Sequence, residues 1–248
     1  MGHSANPGRR IALFGGSFDP PHLGHLAIAR AARAALHLNR ILFAPVGAQP
    51  LKPAGSSASF ADRLKMTELA IAGEQGFEIS LGDAPRPDGA LNYTLTTLQR
   101  LRAVLSPEDV LYFLLGADSF FSLRHWYQAT EIPFTAHLIV ASRPGEPLDA
   151  VVGALPDGIL LDAEPVSDSS SNGVRVVQFS LHGNDGRSAP LYLLPGLHYE
   201  ISASRIREQC LGNRAEPGSL LSSVPHPVAD YIRARRLYSS LAPTATSD

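Results

Sequence analysis

The sequence predicts an α/β fold: a doubly wound parallel sheet covered by helices on both faces, in a single domain. Three observations predict it. Short apolar runs alternate with longer segments of helical spacing from Ile11 to Ala141, the pattern that successive strand–helix–strand units leave. The most apolar run, Leu111-Tyr-Phe-Leu-Leu115, reads as a central strand buried on both faces. The chain has 248 residues, 44% of them hydrophobic, enough to build a sizeable core.

Composition narrows the classes further. With 21 basic and 23 acidic residues the formal charge is −2, so a generic basic surface for nucleic acid is not expected, while a local positive pocket is still allowed. The single cysteine, Cys210, allows no internal disulfide and fits a reducing compartment, where it reads as a small buried hydrophobe. No uninterrupted apolar stretch approaches the roughly 20 residues needed to span a bilayer. Residues 1–9 lack an apolar signal core and read as a disordered lead-in, residues 10–238 as the domain and residues 239–248 as a flexible tail. A cytoplasmic protein without a membrane partner is expected.

The elements follow in order. Ile11–Phe14 is a strand and Leu26–Leu36 an alanine-rich helix, joined by GGSFDPPHLGH, residues Gly15 to His25. In this strand-to-helix turn the glycines allow close backbone approach, Pro20 and Pro21 stiffen the entry, and the helix start presents N–H groups and the positive end of its dipole. Such a corner suits an anion. His22 and His25 lie three residues apart and share a helix face, so both can donate to one phosphate chain. A glycine pair alone makes only a tight turn, and H-x-x-H beside Asp19 also suits a metal, although no second His/Cys cluster completes a shell. Neither GxGxxG nor GxxxxGK[ST] is present.

Arg40–Ala44 is the second strand, and the Pro/Gly/Ser-rich loop after it carries one charge, Lys52, either solvated or turned to a ligand. Ala61–Ala72 has helical spacing that places Leu64, Leu69 and Ala72 inward and Asp62, Lys65 and Glu68 outward. Phe77–Leu81 is a short strand. Asn92-Tyr-Thr-Leu-Thr-Thr97 opens a helix reaching about Leu105, with Thr or Asn as its cap. The central strand ends in Gly116-Ala-Asp118, where the carboxylate suits a ribose or caps the next helix. Trp126 lies in a short amphipathic piece with His125 and Tyr127, and is either core or a stacking surface. His137–Ala141 is the next strand, closed by Ser142-Arg143-Pro-Gly145. These assignments put Gly15, Lys52, Asp118 and Arg143 at the carboxyl edge of the sheet, where such folds bind ligands.

Leu148–Leu155 reads as a helix and Asp168–Gly173 as a loop. Val174–Leu181 and Leu191–Leu194 read as strands flanking the turn-rich HGNDGRSAP, a hairpin added to the domain within 156–195. Tyr199–Ile201 then leads, as a strand, into ISASRIR, residues Ile201 to Arg207. Here Ser202 and Ser204 can cap a helix or bind phosphate, and Arg207 stands one turn past Ser204 on the same face. Val228–Tyr238 is a terminal helix on which Arg233, Arg235 and Arg236 form a solvated face.

Together, GGSFDPPHLGH and ISASRIR resemble the nucleotidyltransferase superfamily with the HxGH motif, whose second signature is ISSTxIR. Within it the chain is similar to the bacterial nicotinate-nucleotide adenylyltransferase family, through NYTLTTL at Asn92–Leu98, LLGADSF at Leu114–Phe120, HWY at His125–Tyr127 and SRPG at Ser142–Gly145. The likeness runs from Ile11 to Tyr238. It implies a Rossmann-like sheet with a small C-terminal helical part, and adenylyl transfer from ATP to nicotinate mononucleotide, giving deamido-NAD and pyrophosphate in NAD biosynthesis.

The resemblance also implies roles. His22, His25 and Arg207 are then catalytic. ATP is held by these three with Gly15, Gly16, Ser17, Phe18, Gly116, Asp118, Ile201, Ser202 and Ser204. The acceptor is held by Lys52, Tyr93, Thr94, Trp126, Tyr127 and Arg143, with Trp126 stacking on the pyridine ring, and Mg²⁺ is bound through the ATP phosphates without a protein metal shell. Leu51-Lys52 stands where the family has His-Lys, and Ser204 where it has threonine. A homo-oligomer is left open. The competing readings are a sibling transferase acting on phosphopantetheine, glycerol phosphate or the amidated mononucleotide, a class I tRNA synthetase fragment, which the short chain without a KMSKS-like loop disfavours, and a non-catalytic nucleotide-binding domain. Trp126-Tyr127 and the NYT loop favour a pyridine substrate.

Overall fold

In the computed structural model the described residues are 8–51, 55–141, 148–197, 201–211 and 222–239. Strand β1 (Arg10–Gly16) leads to helix α1 (Leu23–Leu36), followed by β2 (Arg40–Pro45), α2 (Phe60–Ile71), β3 (Phe77–Ile79) and α3 (Thr94–Val104). Next come β4 (Val110–Gly116), the short α4 (Ala117–Phe121) and α5 (Ile132–Thr135), β5 (His137–Ala141) and α6 (Leu148–Ala154). The strands β6 (Ile159–Leu161), β7 (Ser167–Ser171), β8 (Val174–Gly183) and β9 (Ser188–Leu194) precede the helices α7 (Ala203–Leu211) and α8 (His226–Arg235).

The strands form one sheet in the order β3-β2-β1-β4-β5-β9-β8-β6, with β7 also paired to β8. Pairing is parallel from β3 through β9 and antiparallel on either side of β8. Alternate residues of the central strands serve opposite layers. Leu13, Phe113, Leu138 and Val140 meet Leu95 and Leu98 of α3 on one face, while Ala12, Phe14, Leu114 and Ile139 meet Leu26, Ala29 and Ala32 of α1 on the other. The run Leu111–Leu115 is central, as its composition requires. Because chain direction along the sheet reverses between β1 and β4, their carboxyl ends flank a topological switch point, the place where open α/β sheets leave a crevice.

Several sequence expectations change. The helix α1 starts three residues early, at Leu23. Helix α2 has a different inward face: Asp62, Arg63, Met66, Thr67, Ala70 and Ile71 are buried, while Leu64 and Leu69 are only partly covered. Its polar residues go inward because partners await them, Tyr231 for Asp62 and the Ser17 carbonyl for Arg63. Asp168–Gly173 is a strand and a turn, because β7 pairs along β8 and Asn172-Gly173 take positive φ to make the tight connection. The hairpin β8–β9 is present and enters the main sheet directly, through β9 beside β5. The turn between β7 and β8 reaches α1, where the Asn172 amide donates to the Ala34 carbonyl at 2.7 Å. The third core, made by α2, α7 and α8, includes Met66, Ala70, Ile206, Val228 and Ile232. Arg235 of the expected solvated face turns back to Asp62 at 3.4 Å. Among the described residues no helix is long and apolar enough to cross a membrane.

Candidate nucleotide site

The first corner lies at the carboxyl end of β1. Space at Gly16 is tight, since a Cβ would sit 3.2 Å from the Phe18 ring, which would have to shift to admit it. Phe18 takes a left-handed φ of 47° and buries its ring against Phe14, Phe43 and His25, which folds the turn back over the strand. His22 is the N-cap of α1 and His25 its third residue. Their rings overlap with centroids 3.7 Å apart, and the His22 N–H donates to Nδ1 of His25 at 3.1 Å. That bond fixes a neutral His25 with its proton on Nε2. The expected row of open helix amides is reduced: the N–H groups of Leu23 and His25 are taken by the carbonyls of Ser223 and His22. The donor role therefore falls on the side chains, and His22 Nδ1 is a buried polar atom with no protein partner.

Burial lowers the His22 pKa to about 4. His25 is held well below its usual value, first by burial and then by the charge of His22. Both imidazoles are neutral at physiological pH in the free protein, each carrying one ring N–H.

The second corner is the start of α7. Ser202 caps it, accepting from the Arg205 N–H at 3.3 Å; of the expected strand Tyr199–Ile201, Tyr199 and Glu200 lie outside the described residues, and Ile201 precedes the helix without regular structure. Arg207 joins the two corners. One nitrogen donates to the Asp19 carbonyl at 2.7 Å and another to the Ser204 hydroxyl at 3.1 Å. Asp118 lies in the first turn of α4, whose N-cap is Gly116, so the carboxylate is exposed at the rim and is not the cap.

Between the corners is a cavity of about 830 Å³ lined by Gly15 to Asp19, His22, His25, Gly116 to Ser119, and Ile201 to Ser204 with Arg207. A second cavity, about 380 Å³, opens beside it and is lined by Gln49, Asp83, Asn92 to Thr94, Phe113, Trp126 and Tyr127. Gly15, Gly16, Ser17 and Ser119 belong to both. Trp126 has both of its foreseen characters: it packs on the core next to Phe113 and shows a face to the second cavity, its indole N–H anchored on Ser122 at 3.0 Å. Tyr93 and Tyr127 pair at the mouth with ring centroids 4.6 Å apart. Neither Thr nor Asn caps α3. Tyr93 holds the N-cap position without a side-chain bond, and Asn92 instead ties loops together, accepting from Ala48 N–H at 3.2 Å and donating to the Ala84 carbonyl at 3.0 Å.

Every site residue expected from the sequence lines one of these two cavities, apart from Lys52 and Arg143, which lie outside the described residues. The support beneath was not foreseen. Asp19, 4% exposed, accepts from the Ser57 and Ala58 N–H groups and from the Tyr238 hydroxyl at 2.6, 3.0 and 2.8 Å. Arg63, Asp83 and Asn92 are buried polar groups around the same turn and loops. Their only sequence signal was polarity at positions of an apolar helix face or in a loop.

The family model described as cytidylyltransferase-like matches residues 13–209. A relative from Gloeobacter violaceus, "Probable nicotinate-nucleotide adenylyltransferase", is 37% identical over 93% of this chain and 97% of its own length. A relative of the same name from Laribacter hongkongensis is 38% identical over 94% and 96% of the two chains. Among solved structures, the nicotinic acid mononucleotide adenylyltransferase of Plasmodium falciparum, complexed with NaAD, superposes with a TM-score of 0.65 at 17% identity, over 93% of this chain and 97% of that one. That last likeness concerns the fold.

Proposed function

The chain belongs to the nicotinate-nucleotide adenylyltransferase family, within the cytidylyltransferase-like group, and from that premise we propose the division of labour in its site. The enzyme transfers the adenylyl group of ATP to nicotinate mononucleotide, forming deamido-NAD and pyrophosphate. One observation carries the assignment of residues: two donor-rich helix starts, bridged by Arg207, face a cavity that shares Gly15, Gly16, Ser17 and Ser119 with a second, aromatic-walled cavity.

ATP occupies the larger cavity, its phosphates between His22 and His25 on one side and Ser202, Ser204 and Arg207 on the other. Asp118 at the rim meets the adenosine ribose. Nicotinate mononucleotide occupies the smaller cavity, its ring against Trp126 and its carboxylate near the backbone of Thr94 and Tyr127. Lys52 and Arg143 serve the acceptor's phosphate. The acceptor phosphate then enters at Ser17 and attacks the α-phosphorus in line as pyrophosphate leaves.

Both reactants are anions, so the protein's contribution is alignment and neutralisation of charge on the transferred and leaving oxygens. Neutral imidazoles suit this, because they donate a proton-bearing nitrogen without first being stripped of hydration as ions. The donors in the larger cavity are imidazoles, hydroxyls and a guanidinium, a set that fits phosphate oxygens. That donor set leaves a divalent cation to the ATP phosphates themselves, and Mg²⁺ bound there would supply further charge neutralisation.

A pyrophosphate-release assay with ATP and nicotinate mononucleotide, nicotinamide mononucleotide, phosphopantetheine or glycerol phosphate tests the proposal. Turnover is expected with the nicotinate acceptor above the others, and preference for a non-pyridine phosphate would refute it.

A further inference from the structure

We propose that Asp83 selects for a positively charged ring in the acceptor cavity, serving as the counter-charge to an N-ribosylated pyridinium. The inference rests on the acceptor reading above and goes further, since it names the property of the ring that is recognised.

The cavity wall carries the argument. Among its described lining residues Asp83 provides the only carboxylate, and there is no lysine or arginine. His125 accepts from the Arg124 guanidinium through Nε2 at 3.3 Å, on the exposed side. Phe113, Trp126, Tyr93 and Tyr127 supply aromatic faces. Aromatic side chains and one buried carboxylate lining the same cavity are complementary to a planar cation, which gains from both.

Asp83 is 5% exposed and its carboxylate is oriented. One oxygen accepts from the Thr97 hydroxyl. The other, Oδ2, faces Gly15, lying 3.9 Å from where a Cβ there would be, and Gly15 is part of the wall shared with the ATP cavity. Its main chain is fixed as well, through the Gly47 N–H on the Asp83 carbonyl at 2.7 Å. Burial raises the Asp83 pKa, opposed by the Thr97 bond and the Arg100 charge. Among the described residues of this cavity none brings a positive charge to that carboxylate, and a pyridinium supplies one. A neutral chain such as pantetheine does not.

Binding calorimetry separates this role from mere structural support. Nicotinate mononucleotide, a pyridinium, is compared with its carbon-linked pyridine isostere at a pH where the isostere's ring nitrogen is unprotonated. The folded wild-type protein is expected to prefer the pyridinium by about tenfold, and Asp83→Asn to bring that ratio near one while binding the isostere within about twofold of wild type. Thr97→Val, which keeps the charge but frees its orientation, is expected to reduce the ratio in part. A wild-type ratio near one overturns the proposal, as does a wild-type ratio retained in Asp83→Asn. If Asp83→Asn does not fold, Thr97→Val takes its place, and a full wild-type ratio in it overturns the proposal. Absence of turnover with nicotinate mononucleotide counts against the acceptor assignment alone, because the ratio is read from binding.

Discussion

The guanidinium of Arg63, 2% exposed, donates to the Ser17 carbonyl at 2.7 Å and to the Ala58 carbonyl at 3.3 Å. A buried cation thus holds the phosphate turn from behind. Burial pulls its pKa down and the charge of Asp19 opposes that fall. Removing it takes the Arg63 donor from two carbonyls and a nearby positive charge from Asp19, whose own hydrogen bonds remain. Arg63→Met is expected to cost about 3 kcal/mol of stability, seen as a lower denaturant midpoint at unchanged slope, and to raise the KM for ATP. A midpoint equal to wild type would show that the turn does not depend on this contact.

The histidine pair gives the free protein an acid limit. An unfolded histidine titrates near 6.5, whereas in the fold burial holds His22 at about 4 and His25 well below 6.5. Between those limits the unfolded chain binds more protons. Stability therefore rises with pH from about 4 to 6.5, and is lost as pH falls through that window. His22 alone accounts for about 3 kcal/mol across it. His22→Gln should flatten this slope in unfolding midpoints measured at several pH values without ligand, and an unchanged slope would assign the acid sensitivity elsewhere.

In the proposed site His25 acts through Nε2, the nitrogen left free to donate once Nδ1 accepts from the His22 backbone. Donors aimed at developing charge are typically worth about 10²–10³ in rate. His25→Ala is expected to lower kcat at least tenfold, on the order that such donors supply, with a circular dichroism spectrum like the wild type. Near-normal turnover would remove His25 from the catalytic set.

Asn92 staples three segments of the acceptor wall. Its side chain bridges Ala48 and Ala84, and its own N–H donates to the Ala48 carbonyl at 3.1 Å. The packing is close, since a Cβ at Gly47 would meet Pro85 at 2.6 Å. Asn92→Ala keeps the backbone bond and loses the other two. The expected result is a rise of about tenfold in KM for the mononucleotide, equivalent to one net hydrogen bond of about 1.4 kcal/mol, with KM for ATP nearly unchanged. Equal changes in both constants would argue for a general loosening of the fold.

Much of this architecture can be read from residue order alone. Strand–helix alternation and the apolar run at Leu111–Leu115 specify the sheet, and GGSFDPPHLGH with ISASRIR specify its ligand edge, because each depends on local chemistry. What escapes is polarity with a distant partner. Asp62 and Arg63 look like the outer face of α2 until Tyr231, Arg235, Ser17 and Asp19 are brought against them. The serines of β7 read as a loop because neither face of that strand is deeply buried; its order comes from the ladder with β8 and the Asn172-Gly173 turn. Asp83 and Asn92 likewise acquire meaning only when the loops after β2 and β3 meet.

Ser17 stands in the common wall of the two cavities, and this affects how the reaction ends. In the arrangement proposed above each substrate gives up its own translational freedom to enter one chamber, whereas the dinucleotide product fills both after a single such loss. Tethered halves bind far more tightly than separate ones. On the proposed placement the accumulated product competes with ATP and with the mononucleotide together, an inhibition that initial rates at rising deamido-NAD would show.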